Sequence, residues 1–187
     1  MIEPLIFILL GLALGVLLTV LRRRLAEFHG QQPSDYVDAF PAFDLRQHLR
    51  GKMICEGVIF GPLGRVTSSF VADFDVTWEG DVAVIAETFR YNDGSRQVRE
   101  WTVTLGENGA FTSTAPDVVG VRQGMHSGPT VQLRYLIRLP DELGSHVLST
   151  VDWMYLTPDG TIVNRSQFRK FGVKVAELVA TLRSVEE

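Results

Sequence analysis

The hydrophobic and polar positions divide the chain into two regions with different periodicity. From Pro4 to Leu21 the sequence runs eighteen residues without a charged side chain. At roughly 1.5 Å per residue, a helix of that length nearly spans a hydrocarbon core of about 30 Å. We interpret residues 1–24 as a single transmembrane anchor, in which residues 4–21 cross the lipid bilayer.

A cleaved secretory signal is the alternative reading of this segment. The first residues carry no basic side chain, and Arg22–Arg24 follow the apolar run where a small-residue cleavage site would lie. Since basic flanks favour the cytoplasmic side, the arginines predict an inner-membrane protein with its domain in the cytoplasm, and the periplasmic side stays open. Gly11 and Gly15 have GxxxG spacing, a weak indication of a helix-mediated dimer.

Beyond the anchor the pattern changes twice. Residues 25–43 include polar residues and two prolines, Pro33 and Pro41, which is typical of a linker. From about Gly51 to Phe168, apolar and polar residues alternate in short runs between turn signals. Residues 44–187 are therefore predicted to form an all-β domain, an antiparallel meander barrel of about 8–10 strands.

The end of the chain has a different spacing. Val175, Leu178, Val179 and Leu182 recur at i, i+3, i+4 and i+7. This stripe predicts a C-terminal amphipathic helix that caps or flanks the barrel, and a partner-binding helix is the alternative.

Turn signals suggest which residues face each other across the hairpins. A two-residue loop at residues 79–80 would place Phe70 opposite Phe89, and a three-residue loop at residues 92–94 would place Ile85 opposite Trp101. Both registers put the same residues on one face, which we expect to point inward. The face contains Phe70, Phe74, Val76, Ile85, Phe89, Trp101 and Val103.

Glu87 and Arg99 fall opposite each other on this aromatic face. A charge pair there is costly unless it is well hydrogen-bonded or meets a ligand or water, so the pair indicates a binding site. A structural ion pair at the barrel rim, or a register one residue different that puts both side chains in solvent, are the alternatives.

The last hairpin gives a second polar group. A turn at residues 158–160 places Trp153 opposite Arg165, and Asp152 then shares a face with Asn164 and Ser166. Such a cluster binds a ligand or ties the strands together. The predicted ligand-binding residues are Phe70, Phe74, Glu87, Tyr91, Arg99, Trp101, Asp152, Trp153, Tyr155, Asn164 and Arg165.

Charge and composition exclude several classes of function. Residues 1–24 hold Glu3 and three arginines, so the remainder has 15 basic against 21 acidic residues, a net charge of −6. That balance argues against a nucleic-acid partner. Cys55 is the single cysteine and the four histidines have no metal-ligand spacing, so neither a metal site nor a cofactor is predicted.

Several motifs resemble a bacterial family of uncharacterised proteins, domain of unknown function 3833. They are Asp152–Leu156, Asp159-Gly160, Asn164-Arg165, Lys170–Gly172, Gly57, Gly61, Gly64-Arg65, Phe70, Trp78–Gly80, Phe89–Tyr91, Gly94 and Trp101. The resemblance runs from about Phe43 to the C-terminus and implies a lipocalin-like antiparallel barrel with no assigned activity. Many members resemble exported lipoproteins, whereas this chain lacks a lipid-acceptor cysteine near its apolar segment.

Three functions follow as hypotheses. The first is a membrane-anchored, lipocalin-like protein that binds a lipid or another apolar small molecule near the bilayer, with Arg99 or Arg165 against a polar head. The second is a non-catalytic assembly factor for membrane enzymes, with a solid interior and an exposed apolar patch. The third is a lipid-modifying enzyme that uses Glu87 or Asp152 as acid or base.

Overall fold

The N-terminal part of the chain is one long helix. The computed structural model describes residues 2–141 and 144–185, so Glu186 and Glu187 of the predicted domain lie outside the described residues. Helix α1 (Ile2–Leu25) is followed by a 3₁₀ turn at Phe28–Gly30. Within the described residues, one stretch, Pro4–Arg22, is long and apolar enough to cross a membrane, properties that a signal sequence shares. The apolar N-terminal helix is therefore confirmed.

A closed ten-stranded antiparallel barrel forms the rest of the chain. Each strand pairs with the next, and β1 pairs with β10, so that no sheet edge is left. The strands are β1 (Gly51–Phe60), β2 (Val66–Glu79), β3 (Val82–Tyr91), β4 (Arg96–Leu105), β5 (Ala110–Thr114), β6 (Arg122–Ser127), β7 (Thr130–Arg138), β8 (Val147–Leu156), β9 (Ile162–Lys170) and β10 (Val173–Ser184). The predicted all-β meander barrel is confirmed at the upper end of the expected strand number.

The compact unit that contains the barrel begins at Tyr36 and not at residue 44. Within the predicted linker, Phe43 is buried in the core, and its amide donates a hydrogen bond to the carbonyl of Gly128. The Tyr36 ring contacts Trp153 edge-on with 5.6 Å between ring centroids. Residues 36–43 therefore pack on the barrel wall.

A short helix covers one end of the barrel. Helix α2 (Leu45–His48) starts at Asp44, whose side chain accepts hydrogen bonds from the amides of Arg46 and Gln47 at 2.8 and 3.2 Å. Leu45 and Leu49 are buried, and the indole of Trp78 on β2 donates to the carbonyl of Leu49 at 2.8 Å. The helix is thereby fixed as an apolar floor.

The predicted C-terminal helix is wrong, because residues 173–184 form strand β10. Leu178, Ala180 and Leu182 also alternate with period two, and they point into the barrel beside β1 and β9. The helical stripe arose because Val175 lies at a β-bulge, between Lys174 and Ala176, which shifts the register by one residue. Pairing with both neighbours satisfies the main-chain groups of two strands that would otherwise be edges.

The inward-facing residues are those that alternation predicted, with one corrected register. Phe70 lies opposite Tyr91 and not Phe89, because residues 80–81 form the β2–β3 loop. Gly80 takes the first loop position with φ +56°, where two-residue hairpins place glycine. Since the displacement is two residues, every side chain keeps its predicted face.

The other two predicted registers are confirmed. Ile85 pairs with Trp101 and Glu87 with Arg99 across β3 and β4. Across β8 and β9, Trp153 pairs with Arg165.

Candidate functional site

The barrel interior is not completely filled. It contains a cavity of about 150 Å³, the scale at which an apolar protein cavity accepts a molecule the size of benzene. Its floor is Leu45 and Leu49. The apolar wall is formed by Phe70, Phe74, Trp78, Ile85, Phe89, Trp101, Val103, Phe111, Leu133, Phe168, Leu178 and Leu182.

Aromatic rings make up one side of this wall. The Phe89 ring contacts Phe70 and Phe74 edge-on, with centroid distances of 5.3 and 6.0 Å, and stacks on Tyr91 at 6.1 Å. Edge-to-face contacts of this kind stabilise the pairs beyond their buried area. The rings therefore form a wall held in place by mutual contacts on β2 and β3.

Glu87 on β3 places a carboxyl group among these rings. The residue is 6% exposed, and its Oε2 atom has no hydrogen-bond partner. Burial raises the pKa of Glu87 from 4.5 to about 8, and the attraction of Arg99 only partly opposes that change. At neutral pH the side chain is therefore mainly protonated and can donate a hydrogen bond into the cavity.

Arg99, directly across the β3–β4 ladder, supplies a guanidinium group. It forms no ion pair with Glu87, since its Nε atom donates to Oδ1 of Asp117 at 3.0 Å. The guanidinium carbon lies 4.3 Å from the Trp101 ring centroid, a cation–π contact. Its buried Nη2 atom has no partner, so one donor of the group remains available.

Asp152 on β8 forms a second polar group in the lining. Its Oδ1 atom accepts hydrogen bonds from Asn164 Nδ2 at 2.6 Å and from Ser166 Oγ at 2.8 Å. Burial raises the pKa of Asp152, while these two hydrogen bonds oppose the change. The predicted shared face of the three residues is confirmed, and all three line the cavity.

Ser113 adds another unsatisfied polar atom to the lining. Its Oγ atom is buried without a partner, like Oε2 of Glu87 and Nη2 of Arg99. Buried polar atoms are hydrogen-bonded in the great majority of cases, so these three atoms are available to bond whatever occupies the cavity, either water or a ligand. Among the described residues, no three His, Cys, Asp or Glu side chains are grouped to hold a metal ion.

Most of the residues predicted to bind ligand meet at this cavity, and some do not. Phe70, Phe74, Glu87, Arg99, Trp101, Asp152 and Asn164 line it. Tyr91 is on the same face at the rim, where its hydroxyl donates to Gln97 at 2.8 Å.

The other three predicted residues lie on the outside of the barrel. Because Asp152 and Met154 point inward, the alternation turns Trp153 and Tyr155 outward. Trp153 is nevertheless 0% exposed, covered in part by the Tyr36 ring, and it stacks on Tyr155 at 5.9 Å. Arg165 is paired with Glu177 on β10, so its guanidinium belongs to an outer-face network.

Some residues of the site were absent from the prediction. Asp117, the partner of Arg99, lies in the β5–β6 loop, where no periodic pattern predicts orientation. Tyr135 is fully buried beside Trp101, at 5.4 Å between ring centroids. Its place in the alternating run from Val131 to Leu139 was the signal that could have identified it.

Comparison with known proteins gives a family and a fold. The family model described as protein of unknown function (DUF3833) matches residues 23–184, and none of the curated proteins matches the chain. The S-type phycobiliprotein lyase CPES from Guillardia theta is similar in structure, with TM-score 0.56, 6% identity, 75% of this chain and 90% of that chain covered. Rv2717c from M. tuberculosis is also similar, with a TM-score of 0.56 and 16% sequence identity. The match covers 80% of this chain and 100% of that chain. These likenesses show a lipocalin-like fold.

Proposed function

Since this chain belongs to the DUF3833 family, whose function is unknown, we propose from the cavity itself that the barrel binds an apolar small molecule with one polar head. The observation that carries the proposal is an aromatic cavity whose lining contains three buried polar atoms without partners. An apolar tail would fill the cavity and contact the phenylalanines of its wall. The head would satisfy the unpaired atoms.

The chemistry of the head follows from the groups around it. Arg99 offers an N–H donor, and protonated Glu87 offers an O–H donor, whereas Asp117 already balances the charge of Arg99. An acceptor such as a carboxylate or a carbonyl oxygen fits these donors best. A fatty acid or a related acyl lipid has both the tail and the head, and a lipid is the ligand class we infer.

The N-terminal helix supports a membrane location for this binding. The apolar stretch Pro4–Arg22 has the length of a bilayer crossing, and basic residues follow it at Arg22–Arg24. We propose that it anchors the chain in the inner membrane with the barrel on the cytoplasmic side. A tethered barrel would meet lipids at high local concentration.

Native mass spectrometry of the full chain in a neutral maltoside detergent tests the proposal. Hexanoic acid and 1-hexanol are the probes, because they share a tail that a cavity of this size can hold and differ in the head. We expect Arg99→Met to lower hexanoate occupancy roughly tenfold or more, the effect of losing a charge-assisted hydrogen bond of about 1.5–3 kcal/mol. Hexanol occupancy reports whether the Arg99→Met cavity is intact and should change little.

Two further variants separate the cavity from the outer face. Val103→Phe adds a ring to the cavity wall and should reduce occupancy by both probes. Arg165→Met alters an arginine of the outer face and should change neither. Absence of bound probe in the parent protein, or binding that survives Val103→Phe unchanged, would refute a ligand inside the barrel.

An enzyme acting on the bound lipid is the second candidate, because both Glu87 and Asp152 line the cavity. A carboxyl group that keeps its proton near neutral pH is suited to act as a general acid. Chemical turnover of a bound ester, lost in Glu87→Gln and Asp152→Asn while binding persists, would support it. The assembly-factor hypothesis predicts a solid interior, whereas this barrel contains a cavity.

A further inference from the structure

Two neighbouring hairpins end in exposed apolar side chains. Phe171 in the β9–β10 turn is 95% exposed, and Leu63 in the β1–β2 turn is 83% exposed. Strand β1 pairs with β10, with Phe60 opposite Glu177, so the two turns are adjacent at the same end of the barrel. Val66 and Val173, next to the turns, are also exposed. We call Leu63, Val66, Phe171 and Val173 the apolar tips.

The backbone makes Phe171 an unexpected residue for its position. Phe171 and Gly172 have φ values of +51° and +80°, the left-handed conformation that two-residue hairpins reserve for Asn, Asp or Gly. A bulky aromatic residue in this conformation is strained. Because Phe171 is almost fully exposed, packing inside the barrel does not offset that strain. The position is therefore explained better by an external apolar contact.

Charge around the tips is opposite to that of the domain. Residues 57–72 contain Arg65 and no acidic residue, and residues 164–177 contain four basic residues and Glu177, which pairs with Arg165 and Lys174. In the second segment, Lys170 lies 5.8 Å from the Phe171 ring. The flanking loops carry the acidic residues Asp93 and Asp141, so the basic side chains are concentrated on the two hairpins that bear the apolar tips. These two hairpins are therefore basic in a barrel region of net charge −6.

The tips stand at the less covered end of the cavity. At the floor, Ala83 and Ile162 are completely buried, and Leu45 and Leu49 are buried beside them. At the opposite end, the inward-facing Phe89, Tyr91 and Phe168 are only half-buried. A surface contacted by the tips would therefore face the mouth of the barrel.

From these observations we propose that the apolar tips insert into the surface of an anionic lipid bilayer, with Arg65 and Lys170 against the headgroups. Exposed aromatic and aliphatic residues with basic side chains beside them are complementary to the apolar and anionic layers of such a surface. The contact would turn the mouth of the cavity toward the lipid. The proposal does not depend on which ligand the cavity holds.

An environment-sensitive NBD label at position 171 tests the contact. The full chain carrying Phe171→Cys is labelled and reconstituted into vesicles of phosphatidylcholine, with or without phosphatidylglycerol. Native Cys55 is buried, and the labelled parent chain measures any background from it. Glu107→Cys is the matched control, because Glu107 is exposed in the β4–β5 turn at the opposite end of the barrel.

We expect a blue-shifted and brighter emission at position 171 when phosphatidylglycerol is present, and no change at position 107. Arg65→Glu combined with Lys170→Glu should abolish the shift. Emission at position 171 that ignores phosphatidylglycerol, or an equal shift at position 107, would overturn the proposal. Because the label at position 171 lies on an exposed turn outside the cavity, a negative result here is distinct from failure of ligand binding.

Discussion

Replacement of Glu87 by glutamine should stabilise the barrel in a manner that depends on pH. Below pH 4.5 the carboxyl is protonated in both the folded and the unfolded chain, so burial of the group carries no ionisation penalty. Between pH 4.5 and about 8 the unfolded chain releases the proton while the folded chain keeps it. The free energy of unfolding therefore decreases as pH rises through this window. Glutamine has a similar shape and no proton to lose.

The size of the effect follows from the pKa of Glu87. With ~1.4 kcal/mol for each pKa unit, the difference between 4.5 and about 8 corresponds to roughly 5 kcal/mol above pH 8 and roughly 3 kcal/mol at pH 7. Glu87→Gln should thus match the parent chain at pH 4 and exceed its stability by up to these amounts at higher pH.

Urea unfolding of the full chain in neutral detergent, followed by tryptophan fluorescence from pH 4 to 9, measures the difference. Glu100→Gln is the matched control, because Glu100 is exposed on the outer face of the adjacent strand β4. This control should show no such gain with rising pH. A constant difference between Glu87→Gln and the parent across the whole range would refute the argument that Glu87 is buried as the neutral acid.

Three further outcomes are expected. Hexanoate occupancy should decrease as pH rises through about 8, because ionised Glu87 then repels the carboxylate, whereas 1-hexanol occupancy should not; titration by native mass spectrometry checks both. Burial raises the pKa of the Cys55 thiol to about 12, so iodoacetamide should alkylate it slowly at pH 8 in the folded chain and rapidly in urea. Gly57→Ala should lower stability by about 1–3 kcal/mol in urea titration, because the added Cβ would lie 2.7 Å from the carbonyl oxygen of Val179 at the β1–β10 closure.

Alternation was sufficient to predict the barrel and the inward face of its central strands. It succeeded for Glu87 and Arg99 because side-chain orientation in a strand depends only on whether positions are odd or even, so the two-residue error at Gly80 moved no residue to the other face. It failed at β10, where the bulge at Val175 broke the period that identifies a strand.

The partners of the site could not be predicted, for a different reason. Asp117 reaches Arg99 from the β5–β6 loop, and α2 forms the floor from before the first strand. Neither element follows the alternation of the strands they contact. Trp153 faces outward, away from the cavity, although an aromatic side chain in a strand signals burial, because Tyr36 buries its ring on the outer wall.

Proton linkage can decide the charge of the head that the cavity accepts. A ligand with a carboxylate beside Glu87 would favour the protonated form and raise the pKa of Glu87 above about 8, so its binding would take up protons near pH 8. A cationic head would instead favour the carboxylate, and its binding would release protons. An uncharged alcohol would cause neither uptake nor release of protons on binding. The direction of proton exchange on binding therefore identifies the head chemistry, and release of protons would exclude the acyl carboxylate that Arg99 and neutral Glu87 are placed to receive.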